Sequence, residues 1–271
     1  MQVDAWLKVA QQKLLDAGIT TPRLDVLVLL EDCLGRDRAW LLAHSETELT
    51  GEHQAKLTKQ LKRRGGHEPL AYIRGKAEFY GRTFIVNKNV LVPRPESETM
   101  IELLKKVAPP NAAIADIGTG SGALAITAAL ELPEASVAAV DIDQACLDIA
   151  ERNAVSYDTN LQLFKGNLLE PFLQENPIFK PSVLLCNLPY VPDEYAINKA
   201  ATHEPALALF AGADGLDLYR ILFTQAETLK PKFILTEALP EQHAELAKIA
   251  AASSYKLHAS DDFIQVFIAA E

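Results

Sequence analysis

Long apolar runs and clustered cysteines are both missing from this sequence. No segment approaches the ~20 consecutive apolar residues that a membrane-spanning helix needs, and the N-terminal segment has charged residues where a signal peptide has an apolar block. The three cysteines, Cys33, Cys146 and Cys186, lie far apart and form no CxxC or Cys/His cluster. These absences argue against a membrane protein, a disulfide framework and a structural zinc site. They predict a cytoplasmic protein without a metal.

Positive charge is also scarce. The chain has 26 Lys and Arg residues against 36 Asp and Glu residues, which gives a formal net charge of −10. No stable binding to nucleic acid is expected from such a balance. Residues 56–94 depart from it, with ten basic residues and only two acidic ones. This basic segment is either a solvated face or a docking surface for an acidic or RNA-associated partner.

The 271 residues suit about two domains and show neither repeats nor low-complexity tracts. Residues 1–75 are predicted to form an N-terminal helical bundle, in which Gly18 ends the first helix, Pro22 opens the second, and Asp37 and Thr50 cap the next two. Residues 76–95 are predicted to be a β-hairpin linker that residues 90–92 extend. A helix from residue 96 to residue 107 then opens the third region, residues 96–271.

Short apolar runs of strand length alternate with helical patterns from about residue 112 onwards. The predicted strands are residues 113–117, 136–140, 161–164, 182–186 and 233–236, and the predicted helices between them are residues 123–130, 144–154 and 216–229. Residues 255–258 and 263–268 are predicted to form a final hairpin. Such alternation predicts an α/β fold with a mostly parallel sheet covered on both faces.

A glycine-rich turn follows the first strand of this region and consists of Gly118, Thr119, Gly120, Ser121 and Gly122. Glycines allow the backbone to turn sharply and to approach a ligand closely. Asp141 ends the next strand, where a carboxylate can accept hydrogen bonds from both hydroxyls of a ribose. With Ala123 the turn also satisfies G-x-G-x-x-A, so a dinucleotide-binding dehydrogenase and a turn used only for packing are alternatives.

The tetrapeptide Asn187, Leu188, Pro189 and Tyr190 follows a buried strand and favours methyl transfer over hydride transfer. An amide nitrogen is a poor nucleophile because its lone pair is delocalised. An Asn side-chain oxygen and a backbone carbonyl, each accepting one N–H, would hold the NH₂ group and favour charge on nitrogen. Pro189 stiffens the loop, and Tyr190 offers a flat surface for a planar group. An ordinary Asn-x-Pro turn is the alternative.

These residues resemble the HemK/PrmC family of protein-(glutamine-N5) methyltransferases, and the similarity extends over nearly the whole chain. It includes residues 68–75 (EPLAYIRG), 79–81 (FYG), 92–98 (VPRPESE), 203–209 (HEPALAL) and 212–220 (GADGLDLYR). The resemblance implies a Rossmann-like class I S-adenosylmethionine-dependent methyltransferase sheet behind a small N-terminal helical domain. It also implies a substrate, the glutamine of the Gly-Gly-Gln (GGQ) motif in class I peptide chain release factors.

The same resemblance implies the site residues. Gly118 to Gly122, Asp141, Leu168 and Asn187 would contact the cofactor, S-adenosylmethionine, with Leu168 near its adenine. Asn187 and the Leu188 carbonyl would hold the glutamine amide, and Tyr190 would pack on its plane. Two departures stand out: Leu188 replaces the first proline of the usual Asn-Pro-Pro-Tyr, and Asn167 stands where aspartate is usual.

Two further functions remain open. Asn-Leu-Pro-Tyr also occurs in ribosomal RNA adenine-N6 dimethyltransferases, but those enzymes have an appended C-terminal helical domain, whereas here the helices come first. The other alternative is a catalytically silent protein that binds S-adenosylmethionine. His203, next to Glu204, is interpreted as structural, and Cys186 as a small buried apolar residue.

Overall fold

A computed structural model describes residues 1–175 and 177–270. The chain divides into two compact units, one formed by Met1–Gly75 with Ile197–His203, and the other by Lys76–Ala196 with Glu204–Glu271. None of the helices in the described part of the chain is long and apolar enough to cross a membrane.

The first unit contains five α-helices. They are α1 (Val3–Asp16), α2 (Pro22–Leu34), α3 (Arg38–Ala43), α4 (Gly51–Gly65) and α5 (Leu70–Arg74). The predicted caps are confirmed, because the side chain of Asp37 accepts a hydrogen bond from the Trp40 N–H and that of Thr50 accepts one from the His53 N–H. An apolar core that includes Trp6, Leu30 and Leu57 holds the helices together.

Every arginine of the basic segment forms an intramolecular ion pair. In the first unit, Arg63 pairs with Glu68, Arg64 with Asp25, and Arg74 with Asp32; in the second unit, Arg82 pairs with Glu131 and Arg94 with Glu204. The exposed lysines of α4 are Lys56, Lys59 and Lys62, which recur every three residues on one helix. The arginines of the segment therefore contribute to the fold, and a docking role for the segment would rest on its lysines.

The second unit begins with the predicted hairpin, formed by β1 (Lys76–Phe79) and β2 (Arg82–Ile85) in antiparallel pairing. The predicted extension by residues 90–92 is wrong. The Asn87 side chain accepts a hydrogen bond from the Asn89 N–H and bends the chain into a turn, and the N–H of Val92 donates to the Glu204 carboxylate instead of a strand. A 3₁₀ turn, Pro95–Ser97, then precedes α6 (Glu98–Val107).

A seven-stranded sheet forms the centre of the second unit. Its strands are β3 (Ala113–Ile117), β4 (Ser136–Asp141), β5 (Gln162–Lys165), β6 (Val183–Cys186), β7 (Phe233–Glu237), β8 (Tyr255–Asp261) and β9 (Ile264–Ala269). They lie in the order β5-β4-β3-β6-β7-β9-β8. The first five are parallel, and β9 pairs antiparallel with both β7 and β8. The predicted α/β sheet and its final hairpin are thus confirmed.

The connecting helices are α7 (Ala123–Glu131), α8 (Gln144–Ser156), α9 (Asp217–Leu229) and α10 (His243–Ala252), of which α10 was not among the sequence predictions. Two apolar clusters involve residues of the sheet. One contains Leu184 and Phe223, and the other contains Leu185 and Met100. Alternate residues of β6 therefore enter different clusters, as expected for a strand buried on both faces.

Asn153 on α8 connects the hairpin to the glycine-rich turn. Its buried side chain accepts a hydrogen bond from the Ile85 N–H at 2.8 Å and donates to the carbonyls of Ile85 at 3.0 Å and Ser121 at 2.8 Å. One side chain thus satisfies three backbone groups that belong to two distant segments.

We predict that Asn153→Ala lowers the free energy of unfolding by ~2–4 kcal/mol, because three backbone groups lose their partner in a buried position. Urea denaturation measures the change. Val155→Ala, at a position of the same helix that is 74% exposed, is the control and should change stability by no more than ~0.5 kcal/mol. Equal effects of the two substitutions would contradict this role for Asn153.

Candidate active site

The candidate site lies where three neighbouring parallel strands end. Ile117, the last residue of β3, is in register with Val140 of β4 and with Cys186 of β6. The glycine-rich turn, Asp141 and Asn187 follow these positions directly, so the segments predicted from the sequence meet at one edge of the sheet.

The glycine-rich turn has the backbone conformation that its glycines suggested. Gly118, Gly120 and Gly122 have φ values of 74°, 53° and 79°, in the region that disfavours other residues. Gly122 serves packing, because a Cβ atom there would lie 3.1 Å from the Cβ of Ala150 on α8. Asp116 anchors the turn by accepting hydrogen bonds from the Thr119 hydroxyl at 2.6 Å and the Ala125 N–H at 3.2 Å.

Two cavities open at this edge and have Leu91, Gly118, Gly120 and Asn187 in common. The first is also lined by four other predicted site residues, Asp141, Leu168, Leu188 and Pro189. The second is also lined by Thr119, Ser121, Asp116 and Ser97. Of the predicted site residues, Gly122 and Tyr190 line neither of these two cavities.

Asp141 is suited to hold a pair of hydroxyl groups. Its Oδ2 accepts a hydrogen bond from the Gly120 N–H and its Oδ1 accepts one from the Asp143 N–H, both at 2.9 Å. Each carboxylate oxygen can accept a second hydrogen bond, so the side chain is held in place and retains acceptor capacity. Burial raises the pKa of this carboxyl group above its ordinary value.

The remaining wall of the first cavity is mainly apolar and suits a flat ring. Leu91, Ile142, Leu168 and Leu207 contribute to it. Asn167, the residue that replaces the usual aspartate, also lines the cavity, and its side-chain NH₂ donates to Glu170 at 3.5 Å. A carboxylate beside a glycine turn and an apolar slot together fit the adenosine part of a nucleoside cofactor.

Three hydrogen bonds join four buried or half-buried side chains, two from the tetrapeptide and two from segments behind it. Asn187 donates through Nδ2 to the Ser97 Oγ at 2.9 Å, and Ser97 donates to the Glu237 Oε2 at 2.6 Å. The Tyr190 hydroxyl donates to the other carboxylate oxygen, Oε1, at 3.1 Å. Sequence reasoning assigned no role to Ser97 or Glu237, because these residues are distant from the tetrapeptide along the chain.

Leu188 fits the position that proline usually occupies. Its side chain is only 2% exposed and lies in the apolar cluster of the sheet. A Cβ atom at Gly118 would lie 3.2 Å from the Leu188 Cδ2, so the leucine packs directly against the glycine-rich turn. The position is thus held by packing, which offsets the backbone freedom that leucine has and proline lacks.

The loop that contains Gly215 supports the backbone of the tetrapeptide. The Gln242 side chain donates to the carbonyls of Tyr190 and Asp214, both at 2.7 Å. A Cβ atom at Gly215 would lie 2.0 Å from the Tyr190 carbonyl oxygen, so only glycine allows this approach. Residues 212–220 are therefore coupled to the site through the tetrapeptide backbone, and one of them, Leu218, also lines the first cavity.

Other candidate groups have structural environments. His203 makes a hydrogen bond to the Gly66 carbonyl at 3.0 Å within the first unit. Burial raises the pKa of the Cys186 thiol well above its ordinary value, and burial raises that of Cys146 to about 12, so neither is a thiolate nucleophile. No cluster of His, Cys, Asp or Glu suited to a metal ion occurs among residues 1–175 and 177–270.

Glu237 should make stability depend on pH. Burial raises the pKa of its carboxyl group to about 7, against about 4.3 in an unfolded chain. Its contribution to stability is therefore complete below about pH 4 and is lost as the pH rises through 7. We predict that Glu237→Gln, which cannot ionise, becomes more stable relative to the wild type by up to ~3 kcal/mol between pH 5 and pH 8.

Thermal and urea unfolding of both proteins at the two pH values measure this difference. Asp116, whose pKa burial also raises to about 7, is present in both proteins, and its contribution cancels in the comparison. A stability difference that is the same at pH 5 and pH 8 would contradict the prediction.

Known proteins resemble this chain over most of its length. The PrmC N-terminal domain family matches residues 5–75, and the ribosomal protein L11 methyltransferase (PrmA) family matches residues 95–188. A release factor glutamine methyltransferase from Coxiella burnetii is 36% identical over 87% of this chain and 86% of its own length. The enzyme from Koribacter versatilis is 38% identical over 79% of this chain and 78% of its own length. The enzyme from Bacillus subtilis is 35% identical over 79% of this chain and 76% of its own length.

Solved structures show the same fold at low sequence identity. The hMettl16 catalytic domain in complex with a MAT2A 3′UTR hairpin aligns with a TM-score of 0.55 at 13% identity, over 83% of this chain and 82% of that one. A methyltransferase from Pyrococcus furiosus aligns with a TM-score of 0.50 at 15% identity, over 82% of this chain and 100% of that one. The expected Rossmann-like methyltransferase fold is confirmed, and the similarity to the curated relatives shows that this chain belongs to the release factor glutamine methyltransferase family.

Proposed function

We propose that this protein transfers a methyl group from S-adenosylmethionine to the side-chain amide nitrogen (N5) of the glutamine in the GGQ motif of class I peptide chain release factors. The observation that carries the proposal is the position of Asn187, which lines both cavities and is held from behind by Ser97. The names of the relatives supply the substrate, and the amide chemistry of the tetrapeptide agrees with it.

The cofactor would be held by residues at the ends of β3 and β4. Gly118, Thr119, Gly120 and Ser121 would approach it through the turn, Gly122 would support that turn from behind, and the Asp141 carboxylate would accept the ribose hydroxyls. Leu168 would contact the adenine ring. When bound, S-adenosylmethionine supplies an electrophilic methyl group on a sulfonium centre.

The tetrapeptide would hold the glutamine amide and increase the charge on its nitrogen. The Asn187 Oδ1 and the Leu188 carbonyl each accept one N–H of the substrate, and this favours the transition state, in which nitrogen becomes more positive. Both acceptors belong to a rigid loop, so little reorganisation accompanies the reaction. Pro189 restricts that loop, and the Tyr190 ring would pack on the amide plane while its hydroxyl is held by Glu237.

We further propose that the release factor is the macromolecular partner and that no stable complex with nucleic acid forms. The net charge of −10 supports this. The exposed lysines of the basic segment, Lys56, Lys59 and Lys62 on α4 and Lys88 after β2, are the part of the segment that would be available for an acidic partner. The three cysteines are unpaired, which agrees with a reducing compartment, and we propose the cytoplasm as the location.

We predict that Asn187→Ala lowers the rate of methyl transfer by ~10²-fold or more, because one charge-stabilising acceptor is lost, while cofactor binding changes little. The assay follows label from radioactive S-adenosylmethionine into purified release factor, and calorimetry measures cofactor affinity. Asn160→Ala, at an exposed position in the same unit, is the matched control and should retain the wild-type rate. Near-normal turnover of Asn187→Ala would contradict the role of Asn187.

The wild-type assay also separates the alternative functions. Label in the release factor, lost when its GGQ glutamine is replaced, supports the proposal. Label in ribosomal RNA instead would indicate an adenine methyltransferase. No label in either substrate, with cofactor still bound, would indicate a silent binding protein. Both of the last two results would overturn the proposed function.

A further inference from the structure

The amide of Asn187 has two ends of nearly equal size, and the reaction needs a specific one of them at the substrate. An asparagine side chain carries an oxygen that only accepts hydrogen bonds and an NH₂ group that only donates them. A 180° rotation of the amide exchanges these groups with almost no change in shape. Packing alone therefore cannot select the acceptor for the substrate, and a hydrogen-bond partner of defined polarity is required.

Ser97 is the immediate partner, but a hydroxyl can either donate or accept. Its Oγ lies 2.9 Å from the Asn187 Nδ2 and 2.6 Å from the Glu237 Oε2. Ser97 is 2% exposed and Glu237 is fully buried, so water does not compete for these contacts. Whether the Ser97 hydroxyl donates to Asn187 or accepts from it must consequently be set by the other group to which Ser97 is hydrogen-bonded.

The Glu237 carboxylate sets it. An ionised carboxylate has no hydrogen to donate, so the single hydroxyl hydrogen of Ser97 points to Glu237. The Ser97 oxygen is then left as an acceptor and takes a hydrogen from the Asn187 NH₂ group. As a result, the Asn187 Oδ1 is directed away from Ser97.

We infer that Glu237 is a positioning residue which, through Ser97, selects the orientation of the Asn187 amide and so presents Oδ1 to the substrate N–H. The inference rests on the proposed function for the identity of that N–H group. Glu237, Ser97 and Asn187 thus form a hydrogen-bond relay, in which Glu237 touches neither substrate nor cofactor. It acts across 140 residues of sequence on Ser97, which in turn lies 90 residues before Asn187.

The second oxygen of the same carboxylate makes a separate hydrogen bond. The Glu237 Oε1 accepts a hydrogen bond from the Tyr190 hydroxyl. Among the described residues the Tyr190 hydroxyl donates only to Glu237, so in Glu237→Gln the amide oxygen must face Tyr190 for that hydroxyl to keep its acceptor. The new NH₂ group then faces Ser97 and donates to it. Ser97 must then donate to Asn187, which rotates the Asn187 amide and turns its NH₂ group towards the substrate. The substitution thus reverses the direction of the hydrogen bonds from residue 237 through Ser97 to Asn187 and preserves the bond from the Tyr190 hydroxyl.

At pH 8, where the carboxylate is ionised, we expect Glu237→Gln to lower kcat for release factor methylation by ~10–100-fold, approaching the loss of one charge-stabilising hydrogen bond. KM for the release factor and the Kd for S-adenosylmethionine should stay within about threefold of the wild type. Glu241→Gln makes the same chemical change at an exposed residue and should leave kcat unchanged. A wild-type kcat in Glu237→Gln would overturn the inference.

Ser97 offers a matched pair that separates polarity from packing. Threonine and valine have nearly the same shape, but only threonine keeps the hydroxyl group. We expect Ser97→Thr to retain at least ~10-fold more activity than Ser97→Val. The double variant Glu237→Gln/Asn187→Ala should be no slower than Asn187→Ala alone, because the two residues act in series. Equal activity of the Ser97 pair, or additive losses in the double variant, would contradict a relay.

The Asn187 side-chain NH₂ signal provides a readout that does not depend on turnover. In ¹⁵N-labelled protein it is identified as the signal missing from Asn187→Ala, and its hydrogen bond to Ser97 should protect it from solvent exchange. We expect Glu237→Gln to shift this signal and to increase its exchange rate, whereas Glu241→Gln should not. An unchanged signal in Glu237→Gln would refute the relay. If the wild-type protein methylates no release factor, the proposed function fails, and this signal still tests the relay.

Discussion

The parallel pairing of β3 with β4 and β6 is the constraint on which the site depends. Parallel strands end at the same edge of a sheet, so the segments that follow them are brought together whatever their distance along the chain. Here that edge collects the glycine-rich turn, Asp141 and the tetrapeptide. The register is maintained by apolar clusters that contact β6 on both faces, which explains how a polar site is built on an almost entirely apolar support.

Behind this edge lies a buried polar network that is costly to form. Placing the Glu237 carboxyl among apolar residues raises its pKa to about 7 mainly through burial. The hydrogen bonds from Ser97 and Tyr190 offset part of that cost. An apolar residue at this position would avoid the cost, but it could not define the polarity of Ser97. The network is therefore an example of stability exchanged for the orientation of a functional group.

The arginines of the basic segment show how composition can suggest a surface that the fold uses internally. Arg64 and Asp25 form a pair that is largely shielded from solvent, with side-chain exposures of 12% and 5%. Arg94 holds Glu204, whose carboxylate also binds the Val92 N–H. Five positive charges of the segment are thus matched by carboxylates, four of them from other parts of the chain and one, Glu68, from the segment itself. An exposed basic face would therefore rest on the lysines of the segment.

The sequence by itself determined the class of fold, the edge of the sheet that carries the site and the family. Helical spacing, strand length, the glycine-rich turn and the tetrapeptide are local signals, and each can be recognised in a short stretch of sequence. Tertiary structure alone decided which side chains contact and hold the residues of the tetrapeptide. The bonds from Asn187 to Ser97, from Ser97 to Glu237 and from the Val92 N–H to Glu204 depend on partners far along the chain. Local patterns carry no information about such pairs, because the polarity and position of each partner are set by how the strands pack.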